Sequence, residues 1–203
     1  HELKTPIALV KAYSMGIKDG LDDGTFVDTI IKQTDQISNL IEELLRFSKL
    51  ERDVLQKEEF PIESLVQSIV DKHKIELESK GIHMQVDFNT DNSIVYADIN
   101  KMRMVFQNLI SNAIKYTTNQ NIKITLEEKN DVVYFQVQNG IDTEGIKDID
   151  KIWEPFYVLE SSRSKEKSGT GLGLAIVKSI LERHGFEYGV SVEDGEIQFY
   201  IYR

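Results

Sequence analysis

Two short stretches of this 203-residue chain combine residue types that could hold a polyphosphate. In Asn108-Leu109-Ile110-Ser111-Asn112-Ala113-Ile114-Lys115-Tyr116 two carboxamides stand four residues apart. On a helix they share one face, with Lys115 close by and apolar Leu109, Ile110, Ala113 and Ile114 around them. A polar pair set into a core-facing helix asks for a ligand. In Gly169-Thr170-Gly171-Leu172-Gly173-Leu174-Ala175-Ile176-Val177-Lys178 three glycines at alternate positions run into an amphipathic helix. Bare backbone N–H groups and a helix N-terminus then converge where phosphate oxygens could sit. Taken alone, each stretch has an ordinary reading: the amides could be solvated or cap a turn, and the glycines could only permit tight packing. Together they read as a nucleotide site.

The elements that must position these residues follow from periodicity. Asp98 can cap the helix that carries Asn108 and Asn112. Met84 to Phe88, Ile94 to Ala97, Ile122 to Glu127 and Val132 to Gln138 alternate as strands, and Lys129-Asn130-Asp131 turns between the last two. Tyr188 to Val192 and Ile197 to Tyr202 form a final hairpin around Glu193-Asp194-Gly195-Glu196. Apolar Ile62, Leu65, Val66, Ile69, Val70, Ile75 and Leu77 predict one helix from Ile62 to Ser79, ended by Lys80-Gly81. Strands grouped with helices in this order predict an α+β fold, with a two-layer α/β sandwich rather than a doubly wound sheet.

Ahead of that sandwich, Leu3, Ile7, Val10 and Ile17 recur at helical spacing, and Gly20-Leu21-Asp22-Asp23-Gly24 makes a turn. In the second helix Ile30, Ile37 and Leu44 hold one heptad position and Phe26, Gln33, Leu40 and Phe47 the other. A hairpin this short cannot bury such a stripe alone, which predicts half of a dimeric four-helix bundle, the competing reading being that the stripe packs on the second domain. The division expected is 1–54 for the hairpin and 55–203 for the sandwich, with charged Glu51 to Gln56 near the join.

Composition narrows the classes further. A hydrophobic content of 40% supports a real core, and a net charge of −10 argues against a nucleic-acid binder. Without cysteine there is no disulfide framework, and the four histidines are scattered rather than clustered as zinc ligands. No apolar run reaches the roughly 20 residues of a membrane helix, so no membrane contact by this stretch is expected.

The first residues, His1-Glu2-Leu3-Lys4-Thr5-Pro6, complete a set of ordered boxes with the Asn stretch, Trp153-Glu154-Pro155-Phe156-Tyr157 and the glycine stretch. In this order, over essentially the whole chain, the set resembles the sensor histidine kinases of two-component systems, whose ATP-binding domain is related to those of gyrase and Hsp90. Beginning at His1, the chain then reads as a cytoplasmic fragment with a truncated first helix, from a protein anchored in the bacterial membrane. The His1 region and Asn139 resemble the VanS-type subgroup.

The resemblance implies that an imidazole nitrogen of His1 attacks the γ-phosphoryl of ATP while Glu2 holds the ring's tautomer and accepts a proton. Thr5, one turn on, matches the position that orients a water for dephosphorylating the regulator, and Pro6 would kink the helix after the site. It further implies that Asn112 ligates Mg²⁺, Asn108 supports the site, Lys115 reaches a phosphate and Tyr116 lines the pocket. Thr170, Gly171, Leu172 and Gly173 would offer N–H groups to phosphate, and Tyr157 to Gly169 would form a lid.

Two departures stand out. The family's D-x-G-x-G after the strand places its Asp, which accepts from the adenine amine, at Asn139, and its two glycines at Ile141 and Thr143. An amide oxygen still accepts, but without charge. The basic residue often found after Phe-Tyr is Val158 here, and Arg163 or Lys165 in the lid could substitute. The function implied is autophosphorylation on His1 and transfer to an aspartate of a response regulator, by a homodimer joined through the hairpin. The alternative is a kinase-weak docking or phosphatase module.

Overall fold

The computed structural model describes residues 3–50, 52–90, 93–130, 132–144, 148–159 and 169–203. The chain divides into two compact units, His1–Arg52 and Asp53–Arg203.

The first unit is a helical hairpin of α1 (Lys4–Lys18) and α2 (Phe26–Leu50). Asp22 and Asp23 cap the second helix: Asp22 accepts from the N–H groups of Gly24 and Phe26, and Asp23 accepts from Thr25. Pro6 lies in the first turn of α1, where its missing N–H interrupts no intrahelical bond. The helices meet where Tyr13 sets its ring edge-on to Phe26, and a Cβ at Gly16 would fall 2.5 Å from the Phe26 ring. The heptad stripe of α2 is already half-buried or buried within the chain. A second stripe, Val27, Ile31, Ile41 and Leu45, remains exposed, as do Ile7 and Met15 of α1.

The second unit is built on a five-stranded mixed sheet of β2 (His83–Asn89), β4 (Asn121–Lys129), β5 (Val132–Gly140), β6 (Glu187–Glu193) and β7 (Glu196–Tyr202). Its order is β2-β4-β5-β7-β6, parallel only between β2 and β4. A separate ribbon pairs β1 (Glu58–Pro61) with β3 (Ile94–Ala97). Alternation decides the faces: Ile122, Ile124, Leu126, Phe135, Val137 and Phe199 are buried toward the helices. The other face carries half-buried polar residues and stacked Tyr134 and Tyr202.

Against the apolar face lie α3 (Ile62–Lys72), α5 (Ile99–Tyr116) and α6 (Gly173–His184). Phe106 of α5 meets Phe135 of β5 with ring centroids 4.7 Å apart, and burial of such a side chain is worth about 1.5–3 kcal/mol. Asp98 caps α5 as its sequence implies: its Oδ1 accepts from the N–H groups of Asn100 and Lys101.

The single helix predicted from Ile62 to Ser79 is two. It breaks at His73, and α4 (Lys74–Lys80) follows. The break re-aims the helix so that Leu77 is buried while Ile75 is 82% exposed, although both fit one apolar stripe by type. A short 3-10 helix, Ile149–Trp153, precedes the aromatic box, and Trp153 wedges edge-on against Tyr188 and Phe199.

Candidate active site

On α5 the residues Met102, Val105, Phe106, Leu109, Ile110, Ala113 and Ile114 face the core, which leaves Asn108, Asn112, Lys115 and Tyr116 half-buried along its margin. Asn108 donates from Nδ2 to the Met104 carbonyl at 2.8 Å, so its oxygen is directed elsewhere. That oxygen faces α6: a Cβ added at Gly173 would lie 2.8 Å from it. Only glycine lets the first turn of α6 come this close to α5.

Gly169 makes a second contact with α5, since a Cβ there would meet the Tyr116 hydroxyl at 2.7 Å and Lys115 Nζ at 3.4 Å. Burial pushes the Tyr116 phenol pKa up, partly offset by a hydrogen bond from the Gly169 backbone. A neutral phenol therefore lines the site well past neutral pH. Lys115 Nζ lies 5.1 Å from the centre of the Tyr116 ring.

Between these glycines, Gly171 has φ +70°, and a Cβ there would stand 2.7 Å from backbone atoms of Phe156. The Phe156 N–H donates to the Gly171 carbonyl at 2.9 Å, and Phe156 itself has φ +66°. The aromatic box thus clamps the glycine turn, a role its residue types alone do not signal. Thr170 Oγ1 accepts from the Leu172 N–H at 3.3 Å. Leu172, buried at the N-cap of α6, provides no side-chain cap for the first N–H groups of this twelve-residue helix.

Asn112 is half-buried and has no side-chain hydrogen-bond partner among the described residues. Its carboxamide oxygen suits a hard ion such as Mg²⁺, which binds through one or two protein oxygens plus phosphates and water. Among the described residues no group of three or more His, Cys, Asp or Glu could hold a metal.

Asn139 ends β5 on the helix-facing side of the sheet, beside Ile122 and Ile197, and is 3% exposed. Its Nδ2 donates to the Gly140 carbonyl at 2.9 Å. Thr5 is exposed on the first turn of α1. His1, Glu2, Arg163, Lys165 and residues 160–168 of the lid segment lie outside the described residues. Sequence reasoning missed Phe156 as a backbone clamp, and missed Thr118 and Asn119, which follow α5 and hold Gly140. The Thr118 N–H donates to the Gly140 carbonyl at 3.1 Å, and a Cβ on Gly140 would meet Asn119 Cγ at 2.5 Å. The polar run Thr117-Thr118-Asn119-Gln120 signals a helix end but not that contact.

Comparison with known proteins fits this geometry. Residues 97–202 match the family model "Histidine kinase-, DNA gyrase B-, and HSP90-like ATPase", and residues 1–53 match the His Kinase A (phospho-acceptor) domain. Sensor protein SrrB of Staphylococcus aureus (strain MRSA252) is 30% identical over 207 residues, covering 97% of this chain and 35% of SrrB. The chain therefore spans about a third of the length of the curated relatives it matches. The Acinetobacter baumannii histidine kinase AdeS has a similar structure, with a TM-score of 0.78 at 26% identity over 100% of this chain and 96% of that one. Histidine kinase ThkA, solved in complex with response regulator protein TrrA, gives a TM-score of 0.78 at 25% identity over 100% of this chain and 58% of that one.

Proposed function

This chain belongs to the sensor histidine kinases, joining a phospho-acceptor hairpin to an ATPase domain of the gyrase and HSP90 type, and from that premise we propose that it phosphorylates its own His1 from ATP and passes the group to a response-regulator aspartate. The observation that carries this reading is the meeting of Asn108 with Gly173 and of Tyr116 with Gly169, which brings the polar margin of α5 against the glycine turn and the N-terminus of α6. The backbone N–H groups of the turn and of α6 bind phosphate oxygens there. Asn112 would hold Mg²⁺ by its amide oxygen, and the bound ion would supply charge neutralisation for the polyphosphate. Lys115 lies near the same phosphates. His1 supplies the nitrogen that attacks the γ-phosphorus, Glu2 takes the ring proton, and ADP leaves. Arg163 or Lys165 is proposed to supply the positive charge for the γ-phosphate that a basic residue at 158 would otherwise give.

The hairpin is proposed to pair with a second copy and to dock the regulator, where Thr5 orients water for dephosphorylation. ATP and the regulator place this stretch on the cytoplasmic side, and the described residues contain no helix long and apolar enough to cross a membrane. The whole protein is proposed to be membrane-anchored.

Full-length protein incubated with labelled Mg-ATP should gain an acid-labile, alkali-stable label that vanishes in His1→Gln; label persisting in that variant removes His1 as the acceptor. Asn112→Ala should abolish Mg-ATP binding in calorimetry while leaving unfolding stability within about 0.5 kcal/mol, because it breaks no hydrogen bond among the described residues. Unchanged affinity rejects the Asn112 assignment. A second reading, a docking or phosphatase module of low kinase rate, is favoured by Asn139 and Val158. Absence of label with regulator dephosphorylation retained would select it.

A further inference from the structure

β6 stands at one edge of the five-stranded sheet, with β7 as its neighbour. Which of its backbone groups point outward follows from the hairpin. The turn between β6 and β7 is Asp194-Gly195, with φ +50° and +79°, so Glu193 and Glu196 on either side of it form a hydrogen-bonded pair. Such pairs recur at every second residue, which commits Ser191, Gly189 and Glu187 to β7 as well. The far side of β7 agrees: Arg203 exchanges both backbone bonds with Val133, so the odd-numbered residues of β7 face β5 and the even-numbered ones face β6. Tyr188, Val190 and Val192 therefore turn their N–H and C=O groups away from the sheet. Among the described residues those groups have no hydrogen-bond partner.

Natural sheets blunt such an edge with lysine, proline or a bulge. Glu187-Tyr188-Gly189-Val190-Ser191-Val192-Glu193 contains neither residue, and its register against β7 runs unbroken. Beside the edge lies a cavity of about 600 Å³ that Tyr188, Gly189 and Val190 line. One wall is Trp153, edge-on to Tyr188 with ring centroids 4.9 Å apart. On the opposite face of the sheet the Tyr200 phenol lies across Gly189, where an added Cβ would run into its oxygen. The cavity is lined by the carboxylates of Asp150, Glu182 and Glu187 and by no basic residue. Glu182 accepts from the Tyr188 hydroxyl at 2.9 Å, and Lys178 Nζ stands 4.0 Å from the same oxygen. Asp150 and Glu187 make no ion pair among the described residues. Arg203, 5.3 Å from the centre of the Phe186 ring, is taken up by the carbonyls of Tyr96 and His184.

We propose that β6 is a docking edge to which an extended, arginine- or lysine-bearing segment of a partner protein adds as a sixth strand. Its backbone pairs with Tyr188, Val190 and Val192, and its basic side chains reach the carboxylates of Asp150, Glu182 and Glu187 across the rings of Trp153 and Tyr200. Charge selects this occupant over a second copy of the edge. The chain carries a net charge of −10, and two antiparallel β6 strands centred on Val190 would set Glu187 against Glu193. The site is separate from the proposed nucleotide site and does not depend on it.

The test is fluorescence anisotropy of a labelled hexapeptide, (Arg-Val)3, titrated with the full-length protein. It should bind saturably, and at least about tenfold more tightly than (Glu-Val)3 or than the same peptide with every backbone nitrogen methylated. Proline is tolerated at an edge position whose N–H faces outward, so Val190→Pro should fold, as read by Trp153 fluorescence, and bind at least about tenfold more weakly. Glu182→Gln with Glu187→Gln keeps the acceptor for Tyr188 and should weaken binding about threefold per charge while flattening its dependence on salt. Peptide should also slow hydrogen exchange at the N–H groups of Tyr188, Val190 and Val192. No saturable binding, or equal binding of the methylated peptide, would overturn strand addition. Unchanged affinity in the double glutamine variant, or exchange at those three N–H groups unmoved by peptide, overturns the proposal even if Val190→Pro fails to fold. A dimer of the wild type that Val190→Pro dissociates would give the edge to a second copy instead.

Discussion

Gly171→Ala should damage the second unit far more than Gly185→Ala, although both glycines have nearly the same backbone conformation, φ +70° and +73°. Moving a residue with a Cβ into the left-handed region costs about 1–2 kcal/mol at either site. At Gly185, which ends α6, nothing lies within 4 Å of the added carbon, so the penalty stops there. At Gly171 the added carbon would stand 2.7 Å from both Cα and C of Phe156 and 3.0 Å from the Tyr157 nitrogen. Ordinary contact is about 3.5–4.0 Å, and the obstacle is main chain rather than a side chain that could turn away. The turn must shift and give up the Phe156 N–H bond to the Gly171 carbonyl, worth a further 1 kcal/mol or so, before any repacking around Trp153 is counted. The expected loss is about 2–4 kcal/mol for Gly171→Ala against about 1–2 kcal/mol for Gly185→Ala. Urea unfolding followed by fluorescence of Trp153, the single tryptophan, reads the difference directly. Nucleotide affinity should fall at least tenfold in Gly171→Ala and hold in Gly185→Ala. Equal stability losses in the two variants would refute the argument that close backbone approach, rather than conformation alone, selects glycine at 171.

Two further predictions follow from other parts of the molecule. His184 is buried, its Nδ1–H donating to the Ile180 carbonyl at 2.7 Å and its Nε2 accepting from the Asp98 N–H at 3.1 Å. Burial, aided by the charges of Lys57 and Arg183, lowers its pKa below the ordinary 6.5 of an imidazole, against the opposing hydrogen bond to the Ile180 carbonyl and the charge of Asp98. The unfolded chain then binds the extra proton first, so stability is complete above about pH 6.5 and declines as pH falls toward the lowered value. Urea titrations from pH 7 to 5 should show this slope in wild type and a shallower one in His184→Gln. In the hairpin, Ile41→Glu with Leu45→Glu places charge on the exposed stripe of α2, where the natural side chains are 45% and 56% exposed. At about 1.5–3 kcal/mol per buried aliphatic side chain, the loss over two copies should weaken a dimer by at least about 10³-fold. Sedimentation should show dimer for wild type and monomer for the variant, and an unchanged dimer would place the interface elsewhere.

The sequence by itself determined whatever depends on neighbours a few residues apart. The period of 3.6 put Asn108 and Asn112 on one margin of α5, Asp98 announced the start of that helix, alternation marked the strands of the sheet, and the ordered boxes gave the family. These are legible because capping, helical faces and turns are set within about one turn of the chain. What only the tertiary structure decided depends on residues far apart in sequence. Ile75 and Leu77 are alike by type, yet one is exposed and the other buried because the helix breaks at His73. The parallel pairing of β2 with β4 and the β1 and β3 ribbon leave no local signature, since a strand's pattern names its faces and not its partner. The clamp of Phe156 on Gly171 joins loops fifteen positions apart. The Gly140 carbonyl accepts both from Asn139 Nδ2 and from the Thr118 N–H, which the turn after α5 brings to it. Composition tells which groups can bond; only the folded chain brings their partners within 3 Å.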